Sequence, residues 1–126
     1  MLIWILLGLA VLVMNIYLSA LLYLPAIGVS GHVGSRDELP EPGKYVMRAR
    51  RAQANMLENF PVFATLGLLA MASETADMGQ AILGAQLFVI GRIIYIPLYL
   101  VSVPWTRSVA YGVAFVGQVL MLLALL

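Results

Sequence analysis

Polar residues at helical spacing interrupt an otherwise apolar chain in one segment near its middle. Arg48, Arg51, Asn55 and Glu58 follow one another at intervals of three, four and three residues. Such intervals place side chains on one face of a helix. Guanidinium groups bind carboxylates, and a carboxylate binds an ammonium group, so this face is suited to a small charged ligand.

A second polar group follows later in the chain. Arg92, Tyr95 and Tyr99 are three and four residues apart within an apolar stretch, and Arg107 and Ser108 come shortly after them. A helix would again put the first three side chains on one face. A guanidinium or a phenol beside a thiol favours the thiolate, which is the nucleophilic form.

The two groups together suit a small zwitterionic ligand with more than one carboxylate. Glutathione fits this description: its carboxylates would pair with arginines and its ammonium group with Glu58. A free thiol has a pKa of about 8.5, so such a site would raise the thiolate fraction at neutral pH.

Structural roles are alternatives for the same residues. Arg48 and Arg50 would also serve as anchors that reach lipid phosphates. Arg92 would also serve as a partner of Glu58 or of a backbone carbonyl inside a bundle. Tyr95 and Tyr99 would also suit packing or the membrane interface. These alternatives stay open from the sequence alone.

Composition predicts that these residues lie in a membrane protein. Of 126 residues, 63% are hydrophobic and 10% are charged, whereas a soluble domain has about a quarter charged residues. A net charge of +1 argues against nucleic acid as a partner. Cysteine is absent and His32 is the lone histidine, so no metal site is predicted.

The hydropathy pattern predicts one membrane domain over residues 1–126, an all-α bundle of four transmembrane helices. Their expected ranges are about 1–29, 45–73, 78–101 and 105–126, with a loop at 30–43. The apolar run between Glu58 and Glu74 holds only 15 residues, or roughly 22 Å of helix against a hydrocarbon thickness of roughly 30 Å. The second helix must therefore draw Asn55 and Glu58 into the membrane, where we expect them to face protein.

Charge in the connections predicts the orientation. The first and third connections and their flanks carry the basic residues Arg36, Lys44, Arg48, Arg50, Arg51 and Arg107, and the second, around Glu74 and Asp77, carries none. Basic connections stay in the cytoplasm. We expect a multi-pass protein with its site in the cytoplasmic half and both termini on the opposite side.

The run from Arg51 to Pro61, RAQANMLENFP, closely resembles the second-helix signature of the MAPEG family, the membrane-associated proteins in eicosanoid and glutathione metabolism. The segment 91–99, GRIIYIPLY, is similar to the third helix of that family, and Arg107-Ser108 to the start of the fourth. The resemblance extends over all four predicted spans.

This resemblance implies a homotrimer that binds glutathione between subunits near the cytosolic face. Arg51, Asn55 and Glu58 would hold the glutathione backbone, with Arg48 as a further contact. Tyr95 and Tyr99 would line the pocket. Arg107 would stabilise the thiolate, with Ser108 beside it.

Three differences favour a general glutathione transferase or peroxidase over leukotriene or prostaglandin synthesis. Asn59 stands where leukotriene-synthase-like members have Tyr, and Tyr95 where prostaglandin-synthase-like members have His. The basic cluster that leukotriene-synthase-like members carry after the first helix is missing, and only Arg36 and His32 are near. The substrate would be a lipophilic electrophile or a lipid hydroperoxide that arrives from the membrane lipid. The alternatives are a small transporter or channel subunit that uses Glu58, and a non-catalytic membrane scaffold.

Overall fold

A computed structural model describes residues 1–35, 37 and 39–126 and consists of four helices. They are α1 (Leu2–Val33), α2 (Lys44–Ala72), α3 (Met78–Val101) and α4 (Pro104–Leu123). The described residues contain no strand. The predicted all-α fold of four helices is confirmed. Arg36, which contributed to the predicted orientation, lies outside the described residues.

The first helix differs from the prediction at its end. It continues to Val33, beyond the expected end near residue 29, through a kink at Gly28. Gly28 has φ 65° and ψ 177°, a backbone conformation that glycine adopts without the steric cost of a Cβ atom. The segment 30–33, expected as loop, is therefore helical. At its end the backbone N–H of Gly34 donates a hydrogen bond to the Ser30 carbonyl at 2.9 Å.

Three helices are long and apolar enough to span a membrane, namely α1, α3 and α4. The helix α2 has sufficient length with 29 residues but does not meet the same criterion of composition, because polar residues occupy its first half. The sequence-based prediction that α2 also spans the membrane stays a prediction.

The helices α3 and α4 form a tight antiparallel hairpin. Only Ser102 and Val103 separate them, and Ser102 adopts a left-handed conformation with φ 62° that ends α3. Along the hairpin Gly84 of α3 faces Gly117 of α4: a Cβ atom on Gly117 would lie 2.8 Å from the backbone nitrogen of Phe88. Small residues thus allow the two backbones to approach closely, as is common between membrane helices.

Stacked aromatic rings fill the centre of the bundle. Phe63 of α2 and Phe88 of α3 are fully buried, with ring centroids 4.2 Å apart and planes 9° from parallel. Val11 and Leu12 of α1 and Met121 of α4 belong to the same buried cluster. All four helices therefore share one apolar core.

The close approach of α3 and α4 makes a prediction for two glycines on α4. Gly117→Ala is expected to lower the unfolding temperature in detergent, because its Cβ atom would push against the backbone of α3 at a cost of about 1–3 kcal/mol. Gly112→Ala is the matched control, since nothing lies within 4 Å of its Cβ position. Equal unfolding temperatures for the two variants, measured by circular dichroism, would contradict this packing.

Candidate functional site

The α3–α4 hairpin brings together side chains from two different predicted spans. Because α4 begins within three residues of the end of α3, the last turns of α3 lie beside the first turns of α4. A cavity of about 230 Å³ results between them. It is lined by Tyr95, Tyr99, Arg107, Ser108 and Tyr111.

One aromatic ring contacts the cation of this cavity, and two further rings lie nearby. The guanidinium carbon of Arg107 lies 5.0 Å from the ring centroid of Tyr99, and the Tyr95 ring lies 5.3 Å from that of Tyr99 and 6.5 Å from that of Tyr111. Tyr95 is buried and Arg107 is half-buried. The cavity thus combines one guanidinium with three phenols, which can donate hydrogen bonds to an anion.

Ser108 lies at the edge of the cavity. Its side chain is exposed, and its hydroxyl donates to the Pro104 carbonyl at 3.2 Å within the first turn of α4. The lone pairs of this hydroxyl remain able to accept. Four of the predicted site residues therefore share one cavity, namely Tyr95, Tyr99, Arg107 and Ser108.

The polar face predicted on α2 divides into two parts. Arg51 and Glu58 are exposed on the surface of the single chain, whereas Arg48 and Asn55 are half-buried. None of these four residues lines the cavity between α3 and α4. The expectation that Glu58 faces protein is therefore not met within one chain, because its side of α2 has no covering helix of the same chain.

Arg48 contacts the end of α3. Its Nη1 donates to the Leu100 carbonyl at 2.8 Å, one of the last carbonyls of that helix, which have no partner in the helix itself. Its guanidinium carbon lies 5.8 Å from the Tyr45 ring. This contact gives Arg48 a structural role beside the ligand-binding role predicted from the sequence.

Asn55 contacts the buried arginine of α3. Its side-chain oxygen accepts a hydrogen bond from Nη1 of Arg92, which is 1% exposed. The alternative from the sequence, a pair between Arg92 and Glu58, is not what the structure contains. Asn55 takes that place because it lies on the part of α2 that faces α3, while Glu58 is exposed.

Two features of the structure were missed in the sequence. Tyr111 lines the cavity, and its position four residues after Arg107 on one helix face was the available signal. A larger cavity of about 470 Å³ lies between α1 and α2 and includes Ser19, Tyr23, Arg50 and Gln53 in its lining. Arg50, interpreted above as a cytoplasmic charge or a lipid anchor, lies there with its guanidinium carbon 5.1 Å from the centroid of the Tyr23 ring.

Within the described part of the chain, no group of three or more His, Asp or Glu side chains is arranged to hold a metal ion. The lining of the two polar cavities includes guanidinium, imidazole, amide, hydroxyl and phenol groups.

The fold and the site define a class of protein. It is a bundle of four helices, three of them long and apolar enough to span a membrane, with charged and phenolic side chains near one end of the α3–α4 hairpin. Family comparison makes this assignment specific. A model of the MAPEG family matches residues 1–126, the whole chain. The chain belongs to the MAPEG family, and its predicted membership and membrane fold are confirmed. No curated protein matches the chain.

Membership places the chain among multi-pass membrane proteins related to glutathione and eicosanoid metabolism. The family includes glutathione transferases and also non-catalytic members. The roles predicted for the individual site residues stay predictions.

The contact between Arg48 and the end of α3 has a measurable consequence. Arg48→Gln is expected to lower the unfolding temperature, because a hydrogen bond to a charged donor contributes about 1.5–3 kcal/mol. Lys44→Gln removes a cation at the start of the same helix whose ammonium lies 5.2 Å from the Tyr45 ring, and it is expected to have a smaller effect. Identical unfolding temperatures for wild type and Arg48→Gln would contradict the structural role.

Proposed function

We propose that this protein is a membrane glutathione transferase, with peroxidase activity toward lipid hydroperoxides. The cavity of Tyr95, Tyr99 and Arg107 supports this proposal, because a guanidinium and phenols line the same small cavity. Such donors stabilise a thiolate more than a thiol. Arg107 is the residue expected to hold the thiolate, and Ser108 is a further polar contact.

The proposed reaction forms one bond to sulfur. In conjugation, the glutathione thiolate attacks an electrophilic carbon, the new carbon–sulfur bond forms, and the leaving group departs with its electron pair. With a hydroperoxide, the thiolate attacks the terminal oxygen, the oxygen–oxygen bond breaks, and the lipid alcohol leaves after protonation. A second glutathione then reduces the sulfenic acid to yield the disulfide and water.

The exposed charges of α2 supply the rest of the proposed glutathione site. Arg51 and Glu58 are of opposite sign and exposed on one side of a helix that is expected to lie partly in the membrane. Charged groups at that depth need compensating partners. A zwitterionic tripeptide supplies them, and Asn55 and Arg48 lie on the adjoining part of α2. A neighbouring copy in a homotrimer would cover this side and exclude lipid from it.

An apolar groove on the same hairpin supports entry of a lipophilic substrate from the bilayer. The groove has a volume of about 370 Å³, and its lining includes Ile94, Leu98, Trp105 and Val109. It lies between the helices that also form the cavity of Arg107. The basic residues near this end favour a cytoplasmic site with both termini on the opposite side.

The first test is binding and turnover in detergent. Glutathione is expected to raise the unfolding temperature, because a ligand that binds only the folded state stabilises it. The purified protein should also conjugate a chlorinated nitroaromatic compound with release of chloride. Failure of both measurements on folded protein would refute the proposed enzyme.

Arg107→Ala tests the assigned thiolate partner. We expect this variant to lower turnover by roughly 10-fold to 1,000-fold while changing glutathione affinity less, because the cation acts mainly on the charge at sulfur. Thiolate formation, followed by ultraviolet absorbance against pH, should need a higher pH than in wild type. Arg50→Ala is the control, since Arg50 belongs to a different cavity. An unchanged thiolate titration in Arg107→Ala would refute the role of this residue.

Two other functions are distinguished by measurements on Arg51 and Glu58. A transporter or channel subunit would move solute across sealed vesicles and lose that flux in Glu58→Gln. A non-catalytic scaffold would bind no glutathione and tolerate Arg51→Gln without loss of function. The proposed enzyme instead loses glutathione affinity in both variants and moves no solute.

A further inference from the structure

Arg92 is the most deeply buried charged group of the described residues. It is 1% exposed and lies in the middle of the third span, where a cation costs about 3 kcal/mol to insert. Its guanidinium carbon lies 5.1 Å from the ring centroid of Phe88, 5.7 Å from that of Tyr95 and 5.3 Å from that of Tyr111. Three aromatic faces thus compensate part of the charge.

Only one of the three guanidinium nitrogens of Arg92 makes a hydrogen bond. Nη1 donates to the side-chain oxygen of Asn55, whereas Nε and Nη2 have no hydrogen-bond partner. Buried polar groups of native proteins are nearly always paired. Two unpaired donors beside one paired donor make the bond to Asn55 the principal polar attachment of Arg92.

This bond determines the orientation of the Asn55 amide. A guanidinium has five N–H donors and no acceptor, so only the amide oxygen of Asn55 can face it. The amide nitrogen must then point away from Arg92. Among the described residues no acceptor contacts this nitrogen, and Asn55 is half-buried next to the exposed side of α2 that carries Arg51 and Glu58.

We propose that Arg92 is a positioning residue that turns the Asn55 amide so that α2 presents an N–H donor, and not a carbonyl, to the ligand. The inference rests on the proposed function, because it specifies how Asn55 binds glutathione. An amide nitrogen donates to a carboxylate or carbonyl oxygen and repels an ammonium group. Arg92 itself stays buried and does not touch the ligand.

The amide-to-acid change at Asn55 tests the donor directly. Asn55→Asp keeps the shape and an oxygen acceptor for Arg92 but has no N–H to present. We expect it to unfold at the wild-type temperature or above, while its affinity for glutathione falls roughly tenfold or more, as expected for loss of a hydrogen bond to a charged group. Asn59→Asp is the charge control, one turn further on the same helix, and its loss of affinity should be clearly smaller.

Two substitutions of Arg92 separate positioning from packing. Lysine has only donors, so Arg92→Lys should keep the amide oxygen facing α3 and keep near-normal glutathione affinity. Glutamine both donates and accepts, so Arg92→Gln should release the amide orientation and raise the KM for glutathione with less change in kcat. A purely structural role would instead weaken binding in both variants in proportion to their lower unfolding temperatures.

The outcomes distinguish this inference from the function on which it depends. If the wild-type protein binds no glutathione, both the proposed function and the inference are refuted. If wild type and Asn55→Asp bind glutathione equally, or if Asn59→Asp loses as much affinity as Asn55→Asp, the inference alone is refuted. Asn55→Asp leaves Arg92 in place, so the test holds even where the Arg92 variants do not fold.

Discussion

Inside a bilayer no water is available to bond a polar side chain, and this constraint explains how the amides of the bundle are arranged. Asn15 of α1 donates to the Ala52 carbonyl of α2 at 3.4 Å. Gln118 of α4 donates to the Asn59 carbonyl of α2 at 2.9 Å. Each amide thereby links its own helix to α2 through a backbone oxygen. The side-chain nitrogens of both amides are therefore bonded within the fold.

The lack of water in the bilayer also affects the charged groups, but only some of them have partners within the chain. Arg92 is enclosed by rings and bonded to Asn55, and Arg48 bonds to the end of α3. Arg51 and Glu58, in contrast, remain exposed on the single chain. Under the proposed function, glutathione and a neighbouring subunit would compensate these two charges.

Close packing of the α3–α4 hairpin creates the remaining part of the proposed site. Glycines allow the two backbones to approach closely, and the two-residue connection keeps the ends of the helices together. Bulky residues near that connection then surround a cavity of about 230 Å³. A rigid pair of helices holds phenols and a guanidinium in place more precisely than loops would, which favours preorganised stabilisation of an anion.

The sequence by itself determined the number of helices, their approximate ranges and the family, because apolar length and the motif from Arg51 to Pro61 are local properties of the chain. It also predicted Tyr95, Tyr99, Arg107 and Ser108 as site residues, and the structure brings these four residues together in one cavity. Helical spacing could not decide which side chains of one face are covered and which are open. Only the tertiary structure assigned Asn55 to Arg92 and left Glu58 exposed, because burial depends on where the neighbouring helices pack and not on the period of the helix itself.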